Sequence, residues 1–127
     1  MSKDFDSWNQ IKKKVQDKKD IYCNAREIWW CALGLNVGSE EDGKNELFER
    51  PILILKVFNH QMIRVAPLTS KQKDDAHHFA ITYDNHIGSV ILSQTKTIST
   101  KRLSRKLCRL DKSQFESVVQ ALQRTLT

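Results

Sequence analysis

Long hydrophobic runs are absent from this chain, and so is any orderly set of cysteines. No apolar stretch nears the roughly 20 residues that would span a bilayer, and the opening MSKDFDSWNQIKKK lacks the apolar core of a signal peptide. These absences argue against membrane contact and lead to the expectation of a cytoplasmic protein. Only three cysteines occur, Cys23, Cys31 and Cys108, an odd number with no CxxC spacing. That excludes a disulfide framework and a zinc knuckle, and buried reduced thiols are expected. His77, His78, Asp74 and Asp75 are close in sequence, but their spacing matches no recognised metal site. Neither a metal nor a cofactor is expected. There is no internal repeat and no low-complexity segment.

What is present is 127 residues, enough for one domain with a substantial core. A hydrophobic share of 39% and a charged share of 28% are those of a soluble globular protein. Lys and Arg number 21 against 15 Asp and Glu, a net charge of +6. The isoelectric point is near 9.3. That balance favours a polyanion or an acidic protein partner over a membrane surface or a cationic substrate.

Hydrophobic periodicity predicts a helix over 4–19, with Phe5, Trp8, Ile11 and Val15 at three- and four-residue steps and most of its lysines on the other face. Glu27 to Leu33, EIWWCAL, has the aromatic and aliphatic density of a buried strand. A polar, glycine-containing loop follows over 34–49, too long for a tight turn. Pro51 to Phe58 reads as a second strand with proline at its permitted first position. Asn59 and His60 then make a two-residue turn into a third strand, Met62 to Ala66. After a polar loop at 69–76, short strands are expected at His78 to Tyr83 and Ser89 to Leu92, separated by DNHIG. QTKTIS suggests another, and KRLSRKLCRL a basic segment with a brief strand at its end. A last helix runs from about Lys112 to Leu126, capped by Asp111 or Ser113, with Phe115, Val118, Val119, Leu122 and Leu126 as its apolar stripe. Strands at short spacing with helices only at the ends predict a mostly β fold, a small bent antiparallel sheet closing into a barrel.

Two strand strings each carry a polar residue that a strand has no structural use for. Arg50 precedes Pro51 at the start of one, and Thr69 closes the other in IRVAPLTS. If the strands pair as a hairpin, antiparallel geometry sets Arg50 and Thr69 side by side on one rim. A guanidinium beside a hydroxyl suits a phosphate, so the pair points toward nucleic acid.

Five strings stand in order from Arg26 to the C-terminal region: EIWWCALG, GSEEDG at 38–43, the Arg50–Pro51 step, PLTS at 67–70 and LSQ at 92–94. With the basic KRLSRKLCRL before a final helix, they resemble the MazF/PemK family of type II toxin–antitoxin ribonucleases. The resemblance implies an SH3-like barrel of the MazF/CcdB kind over 25–127, with 1–24 as a helical extension outside it. It further implies a homodimer that cuts single-stranded RNA without a metal, leaving a 2′,3′-cyclic phosphate and a 5′-hydroxyl. A cognate antitoxin would neutralise the toxin, and the complex of the two would bind DNA. The family's catalytic arginine falls on Arg50 and its threonine on Thr69; its acidic loop residue best matches Glu40, and the serine after the threonine matches Ser70. The chain departs from the pattern at Arg26, where a glycine often opens the first strand, and at Lys96, where an arginine is common and the planar fork is lost.

RNA carries its own nucleophile, the 2′-hydroxyl, so an enzyme must orient it, stabilise phosphoryl charge and move two protons. Arg50 suits the charge; its alternative is a salt bridge to Glu46, Glu49 or the acidic loop. Thr69 has no useful pKa near neutrality and would position the phosphate, or simply serve a turn. Glu40 is the leading candidate for the base, with Glu41 and Asp42 competing for the role. A histidine is the usual acid–base group in such chemistry; His77 or His78 can reach the rim from the loop after Thr69, whereas His60 and His86 read as turn and loop residues. Further RNA contacts are expected from Ser70, Lys71, Ser93, Gln94, Lys96 and His77, and base choice from the loops at 34–49 and 69–77. Two other functions remain open on the same fold: a toxin that poisons a topoisomerase by protein contact, and RNA binding without cleavage.

Overall fold

The computed structural model describes residues 21–32 and 49–126. The expected helix over 4–19, Leu33, and all of the 34–49 loop except Glu49 lie outside those residues. Seven strands are described: β1 (Glu27–Ala32), β2 (Glu49–Val57), β3 (Met62–Thr69), β4 (His78–Tyr83), β5 (His86–Ile91), β6 (Lys96–Ser99) and β7 (Leu103–Arg109). One helix follows, α1 (Lys112–Arg124). The strands form an antiparallel sheet in the order β4-β5-β3-β2-β1-β7, with β6 also paired to β3. No described helix is long and apolar enough to cross a membrane.

The central strands are apolar on both faces, as runs such as ILIL require. Ile28, Leu53, Ala66 and Leu68 face one cluster, which α1 covers with Val118 and Ala121. Trp29, Cys31, Ile52, Ile54, Ile63 and Val65 face the other, closed by Ile98 and Leu103. The three cysteines are free, Cys31 buried and the other two half-buried. Asp111 caps α1, its Oδ2 accepting from Gln114 N at 3.1 Å. The Gln114 side chain in turn binds β4, Oε1 accepting from Thr82 N at 2.8 Å and Nε2 donating to Thr82 O at 2.9 Å. The expected stripe stops at Leu122, since Leu126 is past the helix end and exposed.

Several boundaries differ from the sequence reading, each for a local reason. β3 continues through Pro67 to Thr69 instead of stopping at Ala66. Its other edge pairs with β6 over Met62–Val65 and with β5 over Leu68–Thr69. Pro67 falls in the gap between them, where its missing N–H is not needed. The turn after β2 spans 58–61 rather than two residues, because Asn59 Oδ1 accepts from both Gln61 N (2.8 Å) and Met62 N (3.0 Å). The DNHIG separator shrinks to Asp84 and Asn85, at φ 46° and 61°, left-handed backbone that Asp and Asn tolerate. His86, Ile87 and Gly88 therefore belong to β5. β7 takes up most of the basic segment rather than its end alone, paired along β1 with two register shifts.

The start of β1 is tied down at two positions. Arg26, where a glycine was expected, has φ 77°, a conformation costing a non-glycine residue roughly 1–2 kcal/mol. It is held there by its Nε donating to Leu110 O at 3.1 Å, by Arg26 N to Ile54 O at 2.9 Å, and by Leu110 N to Arg26 O at 2.7 Å. Glu27 is buried. Its carboxylate accepts from Trp29 Nε1 at 3.0 Å and Asn24 N at 2.9 Å, and pairs with Lys106 Nζ of β7 at 3.1 Å. Burial pushes this carboxyl up, but the Asn24 backbone, the Trp29 indole and Lys106 together hold it below the usual range.

Arg26→Gly is expected to melt higher than Arg26→Ala, by about 1 kcal/mol of stability, since only glycine relieves the left-handed strain. For Glu27→Gln a loss of about 2 kcal/mol at neutral pH is expected in denaturant unfolding. A carboxyl with a depressed native pKa stabilises above its unfolded value, and that contribution fades as pH falls through the native one. The gap between Glu27→Gln and wild type should therefore narrow in acid.

Candidate active site

The β2–β3 ladder pairs Ile52 with Pro67, Leu53 with Ala66 and Ile54 with Val65. Two residues beyond Ile52 and Pro67 lie Arg50 and Thr69, so the alternation of side chains gives them one shared face. Both are buried, Arg50 2% and Thr69 4% exposed, and both interact with other parts of the protein. On its other side Arg50 pairs with Cys31 of β1. A fully desolvated guanidinium is costly, so a buried arginine at a strand end is a specific feature rather than surface decoration. Thr69 Oγ1 accepts from Lys71 N at 3.2 Å, which ties the hydroxyl to the turn that follows β3.

Both residues line a cavity of about 580 Å³. Its polar side adds Ser70, Arg105, Asp84 and His86, and its apolar side comes from Trp30, Pro51, Leu68, Tyr83, Ile87 and Leu107. Trp30 of β1 pairs with Pro51 on one side and Arg105 on the other. The Arg105 guanidinium lies 5.5 Å from the Trp30 ring centre, a cation–π contact. Trp30 Nε1 is buried and makes no hydrogen bond among the described residues. Among the described residues the cavity is lined by two arginines and one aspartate, and its apolar wall suits a flat ring.

The structure brings only some of the sequence candidates together. Arg50, Thr69 and Ser70 share the cavity, while Lys71 is exposed beside it and contacts Thr69 through its backbone. Glu40 lies outside the described residues. Ser93 and Gln94 form a 3-10 turn after β5. Lys96 lines a different cavity of about 430 Å³ with Arg102 and Met62. His77 lines a third, about 470 Å³, with Asp75, His78 and Arg124. There Asp75 Oδ1 accepts from His77 N at 2.9 Å and meets His78 Nδ1 at 2.8 Å, and the His78 side chain and His77 backbone hold the Asp75 carboxyl below its ordinary value. The histidine at the Arg50 cavity is instead His86, on a strand and not in a loop. Among the described residues no three His, Cys, Asp or Glu are grouped to hold a metal. Trp30, Tyr83, His86 and Arg105 were missed as site residues. An Asp-Asn turn signal would have put His86 on β5, and the alternation in LSRKL sets Arg105 and Leu107 on one face.

Residues 24–126 match the family model of the PemK-like, MazF-like toxins of type II toxin–antitoxin systems. The chain belongs to that family. Solved structures with the PemK/MazF fold include MazF from Deinococcus radiodurans, 18% identical with a TM-score of 0.67, covering 84% of this chain and 98% of that one. A mycobacterial endoribonuclease in complex with its cognate antitoxin is 15% identical, with a TM-score of 0.66 and coverage of 83% and 95%. The Mycobacterium tuberculosis toxin MazF-mt6 is 22% identical, with a TM-score of 0.61 and coverage of 80% and 96%. At such identities the likeness is one of fold. No curated protein matches by sequence.

The adjacent tryptophans of β1 should respond differently to loss of the indole N–H. Trp29→Phe removes a buried bond to Glu27 and is expected to cost about 1–2 kcal/mol beyond the lost ring area. Trp30→Phe removes a donor with no acceptor and should be smaller in cost by at least 1 kcal/mol. Chemical denaturation of the two variants side by side checks this.

Proposed function

We propose that this PemK/MazF-family toxin is a metal-independent endoribonuclease that cuts single-stranded RNA, messenger RNA included, at chosen sequences. The observation that carries this reading is the placement of Arg50 and Thr69 on one face of β2 and β3 at a single cavity, in a chain of this family. Relatives of the same fold include endoribonucleases. The RNA 2′-oxygen bonds to phosphorus and gives up its proton to a base, for which Glu40 is the candidate. The bond from phosphorus to the 5′-oxygen breaks and that oxygen gains a proton, leaving a 2′,3′-cyclic phosphate and a 5′-hydroxyl without consuming water. Arg50 stabilises charge on the phosphoryl oxygens, where fixed donors act strongly in a water-poor site. Thr69 donates to the same phosphate, and Ser70, Lys71, Ser93, Gln94, Lys96 and His77 contact the flanking RNA. We infer further that the sheet closes as an SH3-like barrel, that two copies pair, and that the toxin acts in the cytoplasm. A cognate antitoxin would restrain it; the mycobacterial endoribonuclease is likewise found in complex with its cognate antitoxin.

Induction of wild type, Arg50→Ala, Arg50→Lys and Thr69→Val in cells, with mapping of RNA 5′-ends, tests the reading. Wild type should arrest growth and create new 5′-hydroxyl ends, in vitro also in EDTA. Each variant should cut at least a hundredfold more slowly, with melting curves confirming that it is folded. Folded Arg50 variants that cut like wild type would sink the assignment. Growth arrest by wild type with RNA intact would instead favour action by protein contact.

A further inference from the structure

Tyr83 ends β4 and pairs with His86 across the tight Asp84–Asn85 turn. Its ring lies over Gly88 of β5: a Cβ added to Gly88 would sit 3.3 Å from Tyr83 Cε1 and 3.8 Å from the hydroxyl oxygen. The same Cβ would be 3.1 Å from the carbonyl oxygen of Thr69. Gly88 is therefore a notch, and its missing side chain lets the phenol reach in beside the main chain of Thr69. The ring also meets that of His86, with centres 6.2 Å apart and planes at 57°. The β3–β5 ladder locks the arrangement, since Thr69 pairs with Ser89, the residue after Gly88.

We propose that Tyr83 is a further catalytic group of this site, its O–H donating a hydrogen bond to the scissile phosphate that Arg50 and Thr69 hold. The inference rests on the ribonuclease reading and deepens it. Charge that builds on a phosphoryl oxygen is best met by donors already fixed in place. Ser70 and His86 are exposed, whereas Tyr83 is half-buried, with its ring beside Gly88 and His86. Burial, and after it the nearby Cys108 and Asp84, push the phenol above its ordinary value, so it remains a donor across the neutral range. Among the described residues the other charged or titratable groups lining the cavity are Arg50 from β2, Arg105 from β7, and Asp84 and His86 from the turn and β5.

The test uses an RNA with one mapped cleavage site and the same oligonucleotide carrying a 2′-deoxy residue there, which binds without reacting. Tyr83→Phe keeps the ring and its packing and removes only the hydroxyl. It should lower kcat about a hundredfold, with KM, binding of the deoxy oligonucleotide and melting temperature close to wild type. A Tyr83→Phe variant with wild-type kcat overturns the proposal; if Tyr83→Ala then loses binding, the ring is a stacking surface and no more. Wild type and Arg50→Ala run alongside: a wild type that fails to cut RNA overturns the ribonuclease reading, whereas a cutting wild type with a fully active Tyr83→Phe overturns only the role of Tyr83.

Discussion

The site depends on how β2 and β3 are aligned. With Ile52 opposite Pro67, Arg50 and Thr69 share a face; a slip of one residue would send them to opposite faces. Hydrophobic alternation does not fix that alignment, because these strands bury side chains on both faces. The turn does. Asn59 holds residues 58–61 in a defined bend through its two backbone hydrogen bonds, and the register then runs through one irregularity at Ile54/Lys56 to the far end of the hairpin. The placement of Arg50 and Thr69 at one end of the hairpin is thus tied to an asparagine at the other.

Charge is distributed with the same economy. Arg50 is a cation inside the protein, at a cavity that a second guanidinium, Arg105, also lines. β7 carries charge to two points along β1, with Lys106 against buried Glu27 and Arg105 against Trp30. Because consecutive residues of a strand face opposite ways, one basic segment serves as a structural tie and as part of the cavity wall.

Much of this was legible in the residues. The succession of strands along the chain, the extent of β4, Asp111 as one of two cap candidates and the placement of Arg50 and Thr69 at one cavity all follow from local pattern plus the rule that hairpins bring strand ends together. What escaped was what depends on distant pairing. Nothing local in KRLSRKLCRL marks most of it as strand until β1 lies beside it, and nothing local shows that Pro67 falls in a gap between two neighbours. His77 and His78 read as able to reach the rim because they follow the Thr69 loop, yet they line a separate cavity and His86 lines the one with Arg50. The positive φ of Arg26 was visible only as a missing glycine.

The Gln114 amide bonded to Thr82 has a consequence for the molecule's behaviour in a crowded solution. β4 is the end of the strand order, and its outward N–H and C=O groups are the template on which another chain would add a strand. Gln114 occupies both groups of Thr82 as a neighbouring strand would, but from a helix that cannot be extended into a sheet. Edge-to-edge growth from β4 would first have to break those two bonds and peel away the start of α1. A single glutamine thereby makes the middle of the β4 edge a poorer template for another strand.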